Sequence, residues 1–261
     1  MQTKLLGEGF SLVAPLALRF WDPVALRFVT SDLLVTATAL GQPARPAPAI
    51  LNLSGAYCFI HLPGLRSLEQ GAGDSDYWNQ IAALRRPFQV TVVDQSGHFL
   101  PMRLAVMAPF KGIYTPACAG SAFTVSTPPT SVPLFSAPTR PTSPGMAVIR
   151  SELRLADQPA AWAVLEGWSA APDDPDAELV GRGQADAQGR VALFLPWPRP
   201  KLGQALDEQS WPIHLRTRYT PALAAASPPE FCAVLQQPVA SVTPIPATPV
   251  NLFYGREVIV K

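Results

Sequence analysis

The side chains best equipped for chemistry are few and scattered. The chain carries His61, His98 and His214, and Cys58, Cys118 and Cys232. A metal site needs three or four converging ligands, as a rule with one close pair. Cys58 and His61 form the one such pair. In a strand, residues i and i+3 face opposite sides, so this pair chelates poorly. His61 and His214 fall inside strand patterns and His98 follows a turn glycine, which reads as core or surface histidine. A Ser-His-Asp triad has no Gly-x-Ser-x-Gly elbow to carry its nucleophile. Asp173-Asp174-Pro175-Asp176 has the acidity of a calcium loop, but Pro175 and the missing later ligands make it a solvated loop. Gly181-Arg182-Gly183 lacks the Gly-Lys-Ser/Thr ending of a phosphate loop and leads into a strand, so a bulge or edge kink fits it better. We assign no catalytic, cofactor-binding or metal residue, and no cofactor.

Aromatic and terminal segments offer binding in place of catalysis. Trp162, Trp168, Trp197 and Trp211 suit either core packing or a stacking platform for carbohydrate. Trp162 and Trp168 share a face if one strand runs through both. Trp197, between two prolines in "LPWPRP", belongs at a sheet end and is the first choice for an exposed anchor. The tail "NLFYGREVIVK" follows a proline-punctuated arm and ends strand-like. It either closes its own sheet or adds a strand to a neighbour's open edge.

The composition limits the elements that hold these residues. The 261 residues suit one large or two ordinary domains, and an apolar fraction of 48% supplies real cores. Charged residues are 15%, and a chain so poor in charge tends to bury surface in a partner or a symmetric assembly. A net charge of +1 without a basic run argues against nucleic acid. Thirty prolines restrict the chain to short strands and turns. The cysteines are odd in number and widely spaced, so reduced, mostly buried thiols are expected. No apolar run is long enough to span a membrane, and the N-terminus lacks the pattern of a signal peptide. The expected location is the cytoplasm, with release as part of a particle also open.

Strand patterns run over Leu16–Trp21, Leu33–Leu40, Ala56–Leu62, Phe88–Val93 and Phe99–Val106, the last two as a hairpin. "DSDYWNQIAALRR" is the one helical stretch, with Asp74 or Ser75 as N-cap and Tyr77, Trp78, Ile81 and Leu84 on one face. "STPPTSVPLFSAPTRPTSPG" (126–145) reads as an extended connector, docked through Leu134 and Phe135. Strands resume over Met146–Leu155, Ala161–Trp168, Leu179–Ala185, Arg190–Leu195, Pro212–Tyr219 and Phe231–Leu235, with Ile213, Leu215 and Thr217 on one face.

The two halves repeat an order of events. "NLSGAYCFIHLPG" (52–64) and "ADAQGRVALFLPWP" (185–198) each place a glycine turn before an alternating strand that ends in proline. Arg19 precedes Gly55 by 36 positions and Arg150 precedes Gly189 by 39, which marks an internal repeat at domain scale. Glycine supplies the positive φ of the turn, and proline ends the ladder.

Asp186, Gly189, Arg190, Leu195 and Pro196 resemble the core of carboxypeptidase-regulatory-like domains, which are transthyretin-like sandwiches. Ser54, Gly55, Tyr57, Leu62, Pro63 and Gly64 carry the same resemblance in the first half. It departs at Asn52-Leu53, where that family has an aspartate. The resemblance implies a fold and no activity. "VPLFSAPTRP", "GMAVIRSELRL" and "PAAWAVLEGW", in this order, also resemble uncharacterised proteins of phage-tail-like contractile injection particles. That resemblance implies a structural part of a baseplate, spike or cap.

The expected fold is all-β: two tandem antiparallel β-sandwich domains of transthyretin/immunoglobulin-like type. The first covers 1–125 with a helical insertion near 74–86, the connector 126–145, the second sandwich 146–246 and a C-terminal arm 247–261. The expected function is non-enzymatic, a structural or interaction protein within a larger assembly, with a contractile injection particle as its specific form. Its partners are other subunits, or a second copy through the C-terminal arm. The alternative is a carbohydrate- or surface-binding module, marked by coplanar exposed tryptophans.

Overall fold

The computed structural model describes residues 12–41, 45–70, 74–118, 127–198, 203, 205 and 209–261. The residues before Leu12, on which the reading of the N-terminus rests, lie outside this set, as do residues 119–126 at the expected domain boundary. The chain is mostly short strands with few helices, as an all-β class requires. In order these are β1 (Leu16–Leu18), β2 (Phe20–Asp22), β3 (Arg27–Phe28), β4 (Leu33–Ala39), β5 (Ala47–Pro48), β6 (Ile50–Leu51), β7 (Tyr57–Phe59), α1 (Ser75–Ile81), β8 (Arg86–Asp94), β9 (Met102–Ala108) and β10 (Val132–Pro133). Then follow β11 (Met146–Glu152), β12 (Arg154–Leu155), β13 (Gln158–Pro159), β14 (Val164–Trp168), β15 (Leu179–Gln184), β16 (Arg190–Pro196), β17 (Ser210–Arg218), α2 (Phe231–Leu235), β18 (Val250–Phe253) and β19 (Glu257–Val260).

The repeat reappears in the strand order. One four-stranded sheet runs β5-β4-β8-β9 and another β15-β14-β17-β18. Beside the first, β1 pairs with β7 and carries Ile113 as a parallel bridge at Ala17. Beside the second, β11 pairs with β16 and carries β19 as a parallel neighbour. The corresponding segments follow one another in the same chain order. Each half also adds a small hairpin after its opening strand, β2–β3 and β12–β13.

The two glycine turns are built alike, atom by atom. The Asn52 side-chain oxygen accepts from the backbone N–H groups of Ser54 at 3.0 Å and Ala56 at 2.9 Å. The Asp186 carboxylate accepts from those of Gln188 at 2.8 Å and Arg190 at 3.0 Å. In both turns the glycine N–H donates to the carbonyl three residues back, from Gly55 to Asn52 and from Gly189 to Asp186. Gly55 has φ +74° and Gly189 φ +79°. A Cβ at Gly189 would also lie 2.4 Å from the Leu153 carbonyl oxygen, so the turn is held against the residue that follows β11 at a distance that excludes any side chain. Asn52 offers its turn the same kind of acceptor as Asp186.

Each set of sheets encloses apolar side chains from both of its members. The first core gathers Leu16, Leu18, Val35, Phe59, Phe88 and Leu104. The second gathers Ile149, Leu165, Leu193, Leu195, Ile213 and Leu252. The expected helix forms, with the Asp74 carboxylate accepting from the Tyr77 N–H at 2.8 Å. The stretch read as a connector is more deeply committed than its proline content suggests. Val132 and Pro133 pair in parallel with β2, and Val132, Leu134 and Phe135 are buried in the first core.

Several expectations need correction. Phe231–Leu235 is a helix, not a strand. The Glu230 carboxylate caps it by accepting from the Ala233 N–H at 2.7 Å, and Phe231, Val234 and Leu235 turn one face into the first core. Five residues are too short for periodicity to tell the two apart. Cys118 and Cys232 form a disulfide, not two reduced thiols, and Cys58 is the free, half-buried one. The bond joins α2 to a segment 114 residues earlier, so no local spacing announces it. Trp162 lies before β14 with φ +64°, so no strand runs unbroken from Trp162 to Trp168. His61 leaves its strand at φ +60°, held by hydrogen bonding of its backbone N–H to Glu69. Of the two alternatives open for the C-terminal arm, the one within the chain is seen and needs no correction, with β18 against β17 and β19 against β11.

Candidate functional site

The expected chemical residues stay apart. His61 faces Glu69, with Nδ1 3.2 Å from the carboxylate, and its side chain is largely exposed. His98 follows the Asp94 turn, whose carboxylate accepts from the N–H groups of Ser96, His98 and Phe99. His214 lies opposite Trp168 on the sheet. Among the described residues no three His, Cys, Asp or Glu side chains gather as metal ligands. Burial pushes the Cys58 thiol above its ordinary value, which keeps it protonated and slow to react. The acidic loop is a set of turns, with Asp174 accepting from the Asp176 N–H at 2.9 Å. Gly181-Arg182-Gly183 lies in the edge strand β15, next to a shift in register at Gly167/Trp168. A Cβ at Gly183 would lie 2.6 Å from the Ala192 carbonyl oxygen, so glycine here serves close strand packing.

Trp197 is half-buried against the second core. Trp211 and Tyr254 meet it edge to face, each 5.8 Å away at interplanar angles of 81° and 84°. Perpendicular rings close the end of a core, whereas a sugar platform presents parallel faces.

Two charged clusters escaped the sequence reading. Glu166 on β14 is fully buried, beneath three arginines from the neighbouring strands. Arg182 and Arg218 donate to Oε1 at 3.0 and 2.9 Å, and Arg216 donates to Oε2 at 2.9 Å. Arg216 also stacks 4.3 Å from the centre of the Trp168 ring. Burial pushes the Glu166 carboxyl up, but Arg182 and the hydrogen bonds of Arg216 and Arg218 outweigh it and hold the group below its usual value. In the second cluster Arg140 grips Asp22 through both guanidinium ends, at 2.9 and 2.7 Å. Its guanidinium lies 5.0 Å from the Phe99 ring and 5.8 Å from that of Phe194 on β16, so it ties the first half to the outer face of β16. Both clusters spend their charge on holding strands together. The signal for the first was the alternation Arg216-Thr217-Arg218, which sets both arginines on the face opposite the core.

The surface best suited to function is the outward side of β5-β4-β8-β9. Val35, Ala37, Val90 and Leu104 point into the core, so their neighbours point out. Register places Leu34 beside Val93, Thr36 beside Thr91 and Thr38 beside Gln89. It continues with Arg103 beside Thr91, Ala105 beside Gln89 and Met107 beside Pro87. Leu34 is 48% exposed, Val93 39% and Met107 44%. Arg103 is the one charged side chain among these residues. A broad sheet face with exposed apolar and half-buried threonine side chains and almost no charge has the composition of an interface core.

Compared with known proteins, the chain matches no family model, no curated protein and no solved structure. Among the described residues no helix is long and apolar enough to cross a membrane.

Proposed function

We propose that the chain is a duplicated pair of antiparallel β-sandwiches that serves as a non-enzymatic structural part of a larger protein assembly. The paired strand orders and the matching Asn52 and Asp186 turns support the duplication. The observation that carries the functional reading is the charge-poor outward face of β5-β4-β8-β9, with Leu34, Val93 and Met107 exposed. A subunit that buries this face in a neighbour gains from apolar contact and leaves almost no charge unpaired. The most specific form of the proposal is a subunit of a phage-tail-like contractile particle, which rests on the resemblance of the 132–168 segments alone. The disulfide favours maturation where thiols are oxidised.

Cross-linking in the source cells tests the docking face. A photoreactive phenylalanine at Thr91 is expected to give a discrete, larger species, while the same group at the exposed loop residue Asp174 gives none. Absence of any product at Thr91 would contradict the reading.

A further inference from the structure

We infer that β19 is a self-association edge, through which two copies of this chain pair antiparallel about Ile259. The inference rests on the assembly reading above and names one partner for it. β19 hydrogen-bonds with β11 along one side, and among the described residues no strand pairs with its other side. An open edge presents unpaired N–H and C=O groups that a second strand can satisfy. Natural edges are blunted with proline, bulges or inward charge. Val258-Ile259-Val260 has none of these and is β-branched throughout. Ile259 is 61% exposed, the most exposed β-branched residue of any strand in the second half.

The flanking charges choose the occupant. When the strand meets its own copy antiparallel with Ile259 opposite Ile259, Val258 falls opposite Val260 and Glu257 opposite Lys261. Two opposite-charge pairs then close the ends of the ladder, related by the two-fold axis. Slipping the register by one residue sets Lys261 against Arg256 and leaves Glu257 against Val260. The sequence is therefore self-complementary in one register. Among the described residues Lys261 makes no ion pair, whereas Glu257 holds Arg150 at 2.8 Å with one oxygen and accepts from the exposed Thr142 hydroxyl at 3.4 Å with the other, a long contact that a Lys261 ammonium would replace. A groove of about 600 Å³ opens beside Ile259, with Pro138, Val191 and Pro244 as apolar wall. It gives the second copy side-chain contact beyond the strand pair itself.

Sedimentation equilibrium of the full chain tests this. The wild type is expected at twice the 28.0 kDa chain mass. Ile259→Lys and Lys261→Glu, both at exposed side chains, should weaken the dimer by about tenfold or more. Lys261→Glu leaves glutamate at both ends of the strand and Glu257→Lys leaves lysine at both. Each should pair with itself about tenfold or more weakly than the wild type, and the two mixed should regain the dimer as a heterodimer. Far-UV circular dichroism confirms that each variant is folded. A wild type that stays monomeric at every concentration overturns the inference, as does a dimer indifferent to Ile259→Lys and Lys261→Glu. Such a monomer would leave the docking face untouched, because that face is judged by cross-linking at Thr91.

Discussion

Asn52 and Asp186 do the same work with different side chains, and that equivalence can be measured. Each side chain accepts two backbone N–H groups that the turn would otherwise leave without a partner. Removing such an acceptor costs about 1–2 kcal/mol. Asn52→Ala and Asp186→Ala should each lower the urea midpoint accordingly. Asp186→Asn should stay close to wild type, because an amide oxygen already serves at position 52, and the lost ion pair with the exposed Arg190 is worth little. Glu166 predicts a larger effect. Glu166→Gln leaves three arginines facing each other over a buried amide, and breaking a buried charge cluster typically costs about 3–5 kcal/mol. Its folded pKa is depressed, so its contribution is present above the ordinary value of 4.5 and lost as pH falls through the lower folded value. Thermal melts between neutral pH and pH 3 should show the wild type losing stability in that window. Glu166→Gln, already less stable, should show a smaller decline there. These clusters were hidden in the sequence because the arginines stand 16, 50 and 52 positions from Glu166. Alternation marked Arg216 and Arg218 as outward, but no pattern said which carboxylate they would meet.

At the scale of elements, long alternating strands and polar turns were legible, and short or shared elements were not. β4, β8 and β17 announce themselves through period-two patterns. The helix at Ser75–Ile81 was legible from its Asp74 cap. α2 was misread because five apolar residues after two prolines fit a strand as well as a helical turn. The disulfide and the burial of 132–135 depend on contacts between distant parts of the chain. The disulfide carries its own prediction. It closes a loop of 114 residues, and chain entropy puts the stabilisation from such a loop at about 4–5 kcal/mol, with measured bonds nearer 2–4 kcal/mol. Reduction, or Cys232→Ser, should lower the denaturation midpoint by that amount and expose Phe231, Val234 and Leu235 first. Hydrogen exchange at α2 reads this directly. Unchanged protection there after reduction would mean that packing alone holds the helix.

For the whole molecule, the repeat was visible in sequence because its punctuation is local: a glycine turn, an alternating strand and a proline stop. Strand neighbours that lie far apart in the chain then fell into the same order twice. The use of the molecule was not legible in the same way. The docking face we propose is made of Leu34, Thr91, Val93 and Met107, residues that are unremarkable singly and meaningful only when register sets them side by side. That face, and the scarcity of charge around it, is why we read the protein as part of an assembly. The most direct test is the sedimentation of the endogenous protein from its source cells on a density gradient. Migration with a particle many times heavier than the 28.0 kDa chain is the result the account predicts. Recovery of the whole pool as free monomer or dimer would contradict it.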